Sequence, residues 1–170
     1  MQTLYTREEI HKRIVELGDE ITKVYSPITD EIMAVCVLKG AVHFFSDLVL
    51  EIKLDVLYSF VQVSSYSGTG STERVRVKSW LDESIYGKHI LVVEDIVDTG
   101  VTLNYILGYF SKYKPATLKV ATLFEKKAHR KIDVPVDFVG FEIDDKFIVG
   151  YGFDYDQRKR NLPFVGVENA

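Results

Sequence analysis

The apolar positions of the chain follow two different periods. Between Thr6 and Pro27 they recur every three or four places, putting Ile10, Ile14, Leu17 and Ile21 on one face, the pattern of an amphipathic helix. Thr6 followed by Glu9 predicts a capping box at its start, and the helix is expected to fade near Pro27. Residues 32–38 are then apolar without a break. That run is too short for a core helix and rich in β-formers, so it predicts a buried strand. Lys39-Gly40 ends it, and 41–52 reads as a helix. A second strand is predicted over 55–64. It is followed by SSYSGTGSTERV, polar and carrying two glycines, which reads as a mobile loop. Residues 75–80 alternate and return as a strand. Another buried strand is expected at 90–93, then a helix over 103–113 with Leu103, Ile106, Leu107 and Phe110 on one side. Strands at 118–124, 136–143 and 164–167 complete the pattern.

Strands alternating with helices imply a mostly parallel sheet covered on both faces. Ligands in such sheets bind beyond the carboxyl ends of the strands. The residues to inspect are therefore Lys39-Gly40, Ser64-Ser65-Tyr66, Glu94 to Thr102, and Glu125-Lys126-Lys127.

Composition narrows this little. A chain of 170 residues, 46% hydrophobic and 27% charged, predicts one ordinary globular domain spanning 1–170. The single cysteine, Cys36, can form no intrachain disulfide, so a reducing compartment, the cytoplasm, is expected. Cys36 reads as a small buried hydrophobe or as a nucleophile, although no obvious base neighbours it in sequence. No apolar segment follows the start as a signal peptide requires, and no run is long enough for a membrane span. A net charge of −4 argues against nucleic acid as a partner but not against a small anion bound by local groups.

The stretch HILVVEDIVDTGVTL, residues 89–103, carries the chemistry. Three carboxylates, Glu94, Asp95 and Asp98, precede Thr99, Gly100 and Thr102 at the start of a predicted helix. Unpaired amides and the positive end of the dipole make a helix N-terminus a cradle for a phosphate monoester; an ordinary capped turn would use the same residue types. Ionised Glu94 and Asp95 can only accept hydrogen bonds. They suit a sugar diol or a Mg²⁺ ion, and Asp98 suits proton transfer. One ligand with a phosphate, ribose hydroxyls and a metal side by side would reconcile acids with an anion cradle. A Walker A loop, the dinucleotide-binding glycine pattern and H-E-x-x-H are all absent from the sequence.

VVEDIVDTGVT resembles the phosphoribosyl-pyrophosphate motif of the type I phosphoribosyltransferases, and KFIVGYGFDYD makes the likeness specific to hypoxanthine/guanine phosphoribosyltransferases. VLKGA at 37–41, SSYSGTGST at 64–72, LFEKK at 123–127 and the stretch 139–163 extend it over nearly the whole chain. The resemblance implies that fold, an α/β sheet with helices on both faces, with a small hood formed by the chain termini. It implies transfer of a phosphoribosyl group from phosphoribosyl pyrophosphate to N9 of a 6-oxopurine, giving IMP or GMP and pyrophosphate, with Mg²⁺ as cofactor.

The resemblance also assigns roles. Glu94 and Asp95 would hold the ribose hydroxyls and place Mg²⁺. Asp98 would be the acid/base partner at purine N7, and Asp98, Thr99, Gly100, Val101 and Thr102 would cradle the 5′-phosphate. Lys39 and Gly40, preceded by a cis Leu38–Lys39 bond, would receive pyrophosphate with Arg160, and Arg130 resembles a supporting residue on that side. Ser65 and Tyr66 would belong to a closing loop. Lys126 would donate to O6, Phe147 would stack on the base, Ile148 would read its edge through its backbone, and Asp154 would face a second Mg²⁺. By spacing alone Phe141, Phe147 and Phe153 could equally pack in a core, and Lys126 and the run 158–160 could be solvated. A homodimer or homotetramer is implied. The rival readings are a xanthine-preferring or pyrimidine enzyme of the same fold, a regulator binding nucleic acid on it, and an inert nucleotide-binding module.

Overall fold

Thr6 caps the first helix as its spacing predicts. Its hydroxyl accepts from the Glu9 amide at 3.2 Å, and the Glu9 carboxylate accepts from the Thr6 amide at 2.8 Å. In the computed structural model, which describes residues 1–67 and 73–168, this helix α1 runs Arg7–Tyr25 and buries Ile10, Ile14, Leu17 and Ile21. Each buried aliphatic side chain contributes on the order of 1.5–3 kcal/mol.

A short strand β1, Gln2–Tyr5, precedes α1, and β2, Glu31–Leu38, follows it. Then come α2 (Val42–Val49), β3 (Asp55–Ser67), β4 (Glu73–Ser79), β5 (His89–Val97), α3 (Val101–Ser111), β6 (Thr117–Glu125), β7 (Phe138–Glu142), β8 (Ile148–Val149) and β9 (Val165–Val167). The main sheet has the order β4-β3-β2-β5-β6-β7. Its strands are parallel except β4, which runs antiparallel along β3. Helices α1 and α2 pack on one face with Leu91, Val93 and Phe124, while α3 packs on the other with Val35, Val92 and Phe110. The α/β fold with both faces covered is therefore present. A second sheet, β1-β9-β8, joins the two ends of the described chain and forms the hood.

Several boundaries differ from expectation, α3 among them, which begins at Val101 and ends at Ser111. The α2 helix stops at Val49, and β7 occupies only Phe138–Glu142. The stretch 64–74, expected as a mobile loop, is strand wherever it is described: Ser64, Ser65 and Tyr66 pair with Arg76, Val75 and Arg74. Two polar segments satisfy each other's backbone there without needing apolar side chains. Residues 68–72 lie outside the described residues. Most consequential is β5, which does not end with its apolar run. Its parallel register continues through Glu94↔Thr122, Ile96↔Phe124 and Val97↔Glu125, so Glu94 and Asp95 sit inside a strand.

Candidate active site

The parallel register brings the carboxyl ends of β2, β3 and β5 to one edge, and a cavity of about 420 Å³ opens there. Its walls include Lys39, Gly40, Ser65, Glu94, Asp95, Asp98, Thr99, Gly100, Thr102, Asp154 and Arg160. Residues predicted from the 89–103 stretch and residues far from it in sequence thus meet around one space.

Helix α3 begins at Val101, and its N-cap, Gly100, has φ +85° with no side chain capping the helix. A left-handed φ suits glycine, and a Cβ at Gly100 would run into the carbonyl of Ile132. The closeness of the chain behind the turn is one reason for glycine here. Gly100 has no side chain to cap the helix, and although the Thr99 hydroxyl accepts from the Val101 amide at 3.4 Å, the first turn of α3 carries the partial positive charge of the helix dipole. Thr99 and Thr102 line the cavity beside it.

Glu94 is buried, and Asp95 lies partly so beside it. Burial, and then the neighbouring Asp95 charge, raise the Glu94 carboxyl well above the usual carboxylate range. Burial raises Asp95 as well, opposed by hydrogen bonds from Glu94 and from the Ile96 amide, 2.7 Å away. A raised value means that the folded form favours the proton, so the pair's contribution to stability is greatest in acid and is lost as pH rises. Glu94→Gln is accordingly expected to raise the melting temperature of the ligand-free protein, the gain growing from pH 5 to pH 8. Each kcal/mol relieved corresponds to about 2–4 °C. Thermal melts in chelator check this; an equal gain at both pH values would remove the burial argument.

The same arrangement bears on a metal. Glu94 and Asp95 line the cavity, as does Asp154, whose Oδ1 is 3.1 Å from Arg160 and whose Oδ2 accepts from the Gln157 amide at 2.8 Å. Among the described residues no three His, Cys, Asp or Glu side chains gather as a cage for an ion. Mg²⁺ needs no such cage, since it is usually bound by one or two carboxylates with substrate phosphates and water. Hard oxygen donors around an open cavity fit it.

The Leu38–Lys39 peptide is cis, as the resemblance implied, and Gly40 lies directly against the Asp95 carboxylate. The Lys39 ammonium is 3.4 Å from Gln157. Cys36 is buried behind this wall, where burial and then the carboxylates of Glu94 and Asp95 push its thiol up to about 12. It is therefore a packing residue, not a nucleophile.

The residues expected around a base lie beyond the walls of this cavity. Lys126, its side chain 11% exposed, stands 3.8 Å from Asp145. Phe147 is 52% exposed and meets Tyr155 edge-on, whereas Phe153 is buried and Phe141 half-buried. Spacing would have put all three in the core. Ile148 is buried in β8, paired with Val167. Tyr66 lies in β3, but its side chain is outside the described residues. Arg130, expected on the pyrophosphate side, is instead engaged behind the turn: it donates to Glu125 at 2.9 Å and to the Asp98 carbonyl at 3.1 Å.

Sequence reasoning missed His129 and Asp145. His129 Nδ1 is 3.5 Å from Asp98 Oδ1, and its Nε2 is 3.2 Å from Asp145 Oδ2. Both follow a strand at the carboxyl edge, and that was the only signal available for them.

Known proteins bear on this geometry. The family model for the phosphoribosyl transferase domain matches residues 8–156. A hypoxanthine phosphoribosyltransferase of Haemophilus influenzae is 45% identical over 98% of this chain and 94% of its own. A hypoxanthine-guanine phosphoribosyltransferase of Bacillus subtilis is 44% identical over 98% and 92%. The crystal structure of a hypoxanthine-guanine phosphoribosyltransferase from Bacillus anthracis superposes with a TM-score of 0.94 at 39% identity, covering 99% of each chain. The chain belongs to the phosphoribosyltransferase family and, within it, to the hypoxanthine/guanine phosphoribosyltransferases, pentosyltransferases of purine salvage.

Proposed function

We propose that the protein, as a single phosphoribosyltransferase domain, transfers the 5-phosphoribosyl group of phosphoribosyl pyrophosphate to N9 of hypoxanthine or guanine, forming IMP or GMP and releasing pyrophosphate. The observation that carries this is the meeting, around one cavity, of an acidic strand end, a helix N-terminus with glycine at its cap and the Lys39–Arg160 pair of cations. Acids would face the ribose hydroxyls while amides and the hydroxyls of Thr99 and Thr102 face the 5′-phosphate.

Each part has a task in the chemistry. The amides of the 99–102 turn hold the phosphate and so fix the sugar. Once ionised, as a bound Mg²⁺ would favour, Glu94 and Asp95 accept from the ribose hydroxyls and favour the positive charge that develops at C1′ as pyrophosphate departs. Lys39 and Arg160 neutralise the leaving oxygens. Glu94 and Asp95 would hold one Mg²⁺ and Asp154 would face a second, and the metal would supply further neutralisation of the departing charge. Asp98 handles the proton at purine N7. Lys126 donates to O6, Phe147 stacks on the ring and the Ile148 backbone reads its edge. Ser65 and Tyr66 close over the centre and keep water from C1′. Among the described residues no helix is long and apolar enough to cross a membrane; we place the enzyme in the cytoplasm, as a homodimer or homotetramer.

The test is an initial-rate assay with hypoxanthine, guanine, xanthine and adenine, phosphoribosyl pyrophosphate and Mg²⁺, with and without chelator. The 6-oxopurines should react, adenine should not, and chelator should abolish the rate. Lys126→Ala should lower kcat/KM for hypoxanthine by about 10–100-fold, the size of a lost charged hydrogen bond. A preference for adenine, or a pyrimidine as the better acceptor, would overturn the assignment.

A further inference from the structure

Asp98 Oδ1 is buried and makes no hydrogen bond, although 40% of the side chain is exposed. The Nδ1 of the His129 imidazole lies 3.5 Å from it. The other ring nitrogen of His129 faces Asp145 at 3.2 Å, and the second oxygen of Asp145 faces Lys126 at 3.8 Å. Four side chains thus form one line from Asp98 to Lys126. A neutral imidazole carries a single N–H and can donate to only one of the two carboxylates; a doubly protonated ring donates to both.

The backbone holds this line in place. Lys126 N donates to the Val97 carbonyl at 2.9 Å, and the amides of Lys131 and Ile132 donate to the Thr99 carbonyl at 2.8 and 3.1 Å. Arg130 N closes a turn on the Lys127 carbonyl, and its guanidinium reaches the Asp98 carbonyl. The segment carrying His129 is thereby fastened to the turn carrying Asp98 on both sides of the ring.

We propose that His129 is a positioning residue that orients the Asp98 carboxylate and couples it to the Lys126 end of the base site through Asp145. The inference rests on the role given to Asp98 above. His129 does not line the cavity described above. Its effect is to hold one oxygen of Asp98, leaving the other free to meet the purine proton. Ion pairs this exposed contribute little to stability, so the consequence falls on turnover. Catalytic hydrogen bonds that are long in the free enzyme tighten in the complex, which is how a 3.5 Å contact can matter.

The test compares His129→Ala, Asp98→Asn and the double variant in kcat, KM for phosphoribosyl pyrophosphate, and melting temperature. His129→Ala should lower kcat about tenfold, well short of the Asp98→Asn loss, with KM and melting temperature unchanged. Added imidazole should restore part of that rate. The double variant should be no slower than Asp98→Asn alone, because two residues acting as one unit are not additive. Should the alanine variant melt early, His129→Gln, which keeps one donating amide, is read by the same criteria. A kcat within about twofold of the parent overturns the proposal, as does a loss that adds in full to that of Asp98→Asn. If Asp98→Asn itself keeps full turnover, it is the role of Asp98 that fails. If Asp98→Asn is slow and His129→Ala is not, His129 alone loses its assignment.

Discussion

Replacing Asp98 by asparagine is expected to lower turnover by about 10²–10⁴-fold, the usual contribution of a positioned acid or base, while phosphoribosyl pyrophosphate still binds. The substitution keeps shape and removes only the ability to take a proton. The turn around it should survive, because Arg130 holds the Asp98 backbone carbonyl and not its carboxylate. The neighbouring Thr99 carbonyl likewise receives the Lys131 and Ile132 amides whatever stands at 98. Steady-state kcat together with calorimetric titration of phosphoribosyl pyrophosphate separates the two effects. Unchanged turnover would remove Asp98 from proton handling; lost binding would make it a phosphate-loop residue instead.

Gly100→Ala should do the opposite, damaging binding as much as rate. At φ +85° an alanine costs roughly 1–2 kcal/mol in backbone strain. Its methyl group would also strike the Ile132 carbonyl, a backbone atom that cannot swing aside, since the Ile132 amide is itself tied to Thr99. The 99–102 turn must move instead, taking the first amides of α3 with it. A displacement of about 1 Å in such a site can cost on the order of 10²-fold, so kcat/KM for phosphoribosyl pyrophosphate should fall at least that far. Melting should drop by about 2–4 °C per kcal/mol of strain. A variant that melts early yet keeps the parental KM would show that the turn does not hold the phosphate.

Local patterns made the larger part of the architecture readable in advance. The four apolar positions of α1 and its capping box depend on residues three or four apart, and the strand at 32–38 on an unbroken run. What escaped depends on partners distant in sequence. Strand β1 exists because Gln2 and Thr3 meet Val167 and Gly166, a pairing with no local signature. Residues 64–67 became strand because an equally polar segment lies opposite. Glu94 and Asp95 were expected just past a strand and lie within one, since β6 continues to pair with β5 after the apolar side chains stop. Around the site, Glu94, Asp95, Asp98 and the turn after them could be argued from chemistry alone. Lys39 and Lys126 were marked only as residues at strand ends; their roles, and Phe147, Asp154 and Arg160 altogether, came from the family likeness. The exposure of Phe147 runs against its spacing, and Arg130 is held by Glu125 and the Asp98 carbonyl behind the turn. His129 offered neither periodicity nor motif.

The closeness of Gly152 to Gly40 has a thermodynamic consequence. At φ +103° Gly152 lies so near the Gly40 carbonyl that no Cβ could be accommodated. Its own amide and carbonyl are both taken by Arg160, at 2.9 and 2.6 Å, while the adjacent Tyr151 hydroxyl donates to Asp47 at the far end of α2. The hairpin bearing Asp154 and Arg160 and the bend bearing Lys39 are thus interlocked before any anion arrives. If Lys39 and Arg160 receive pyrophosphate as proposed, little of the clamp's conformational freedom is left to be surrendered on binding, and the anion would meet a pre-assembled seat.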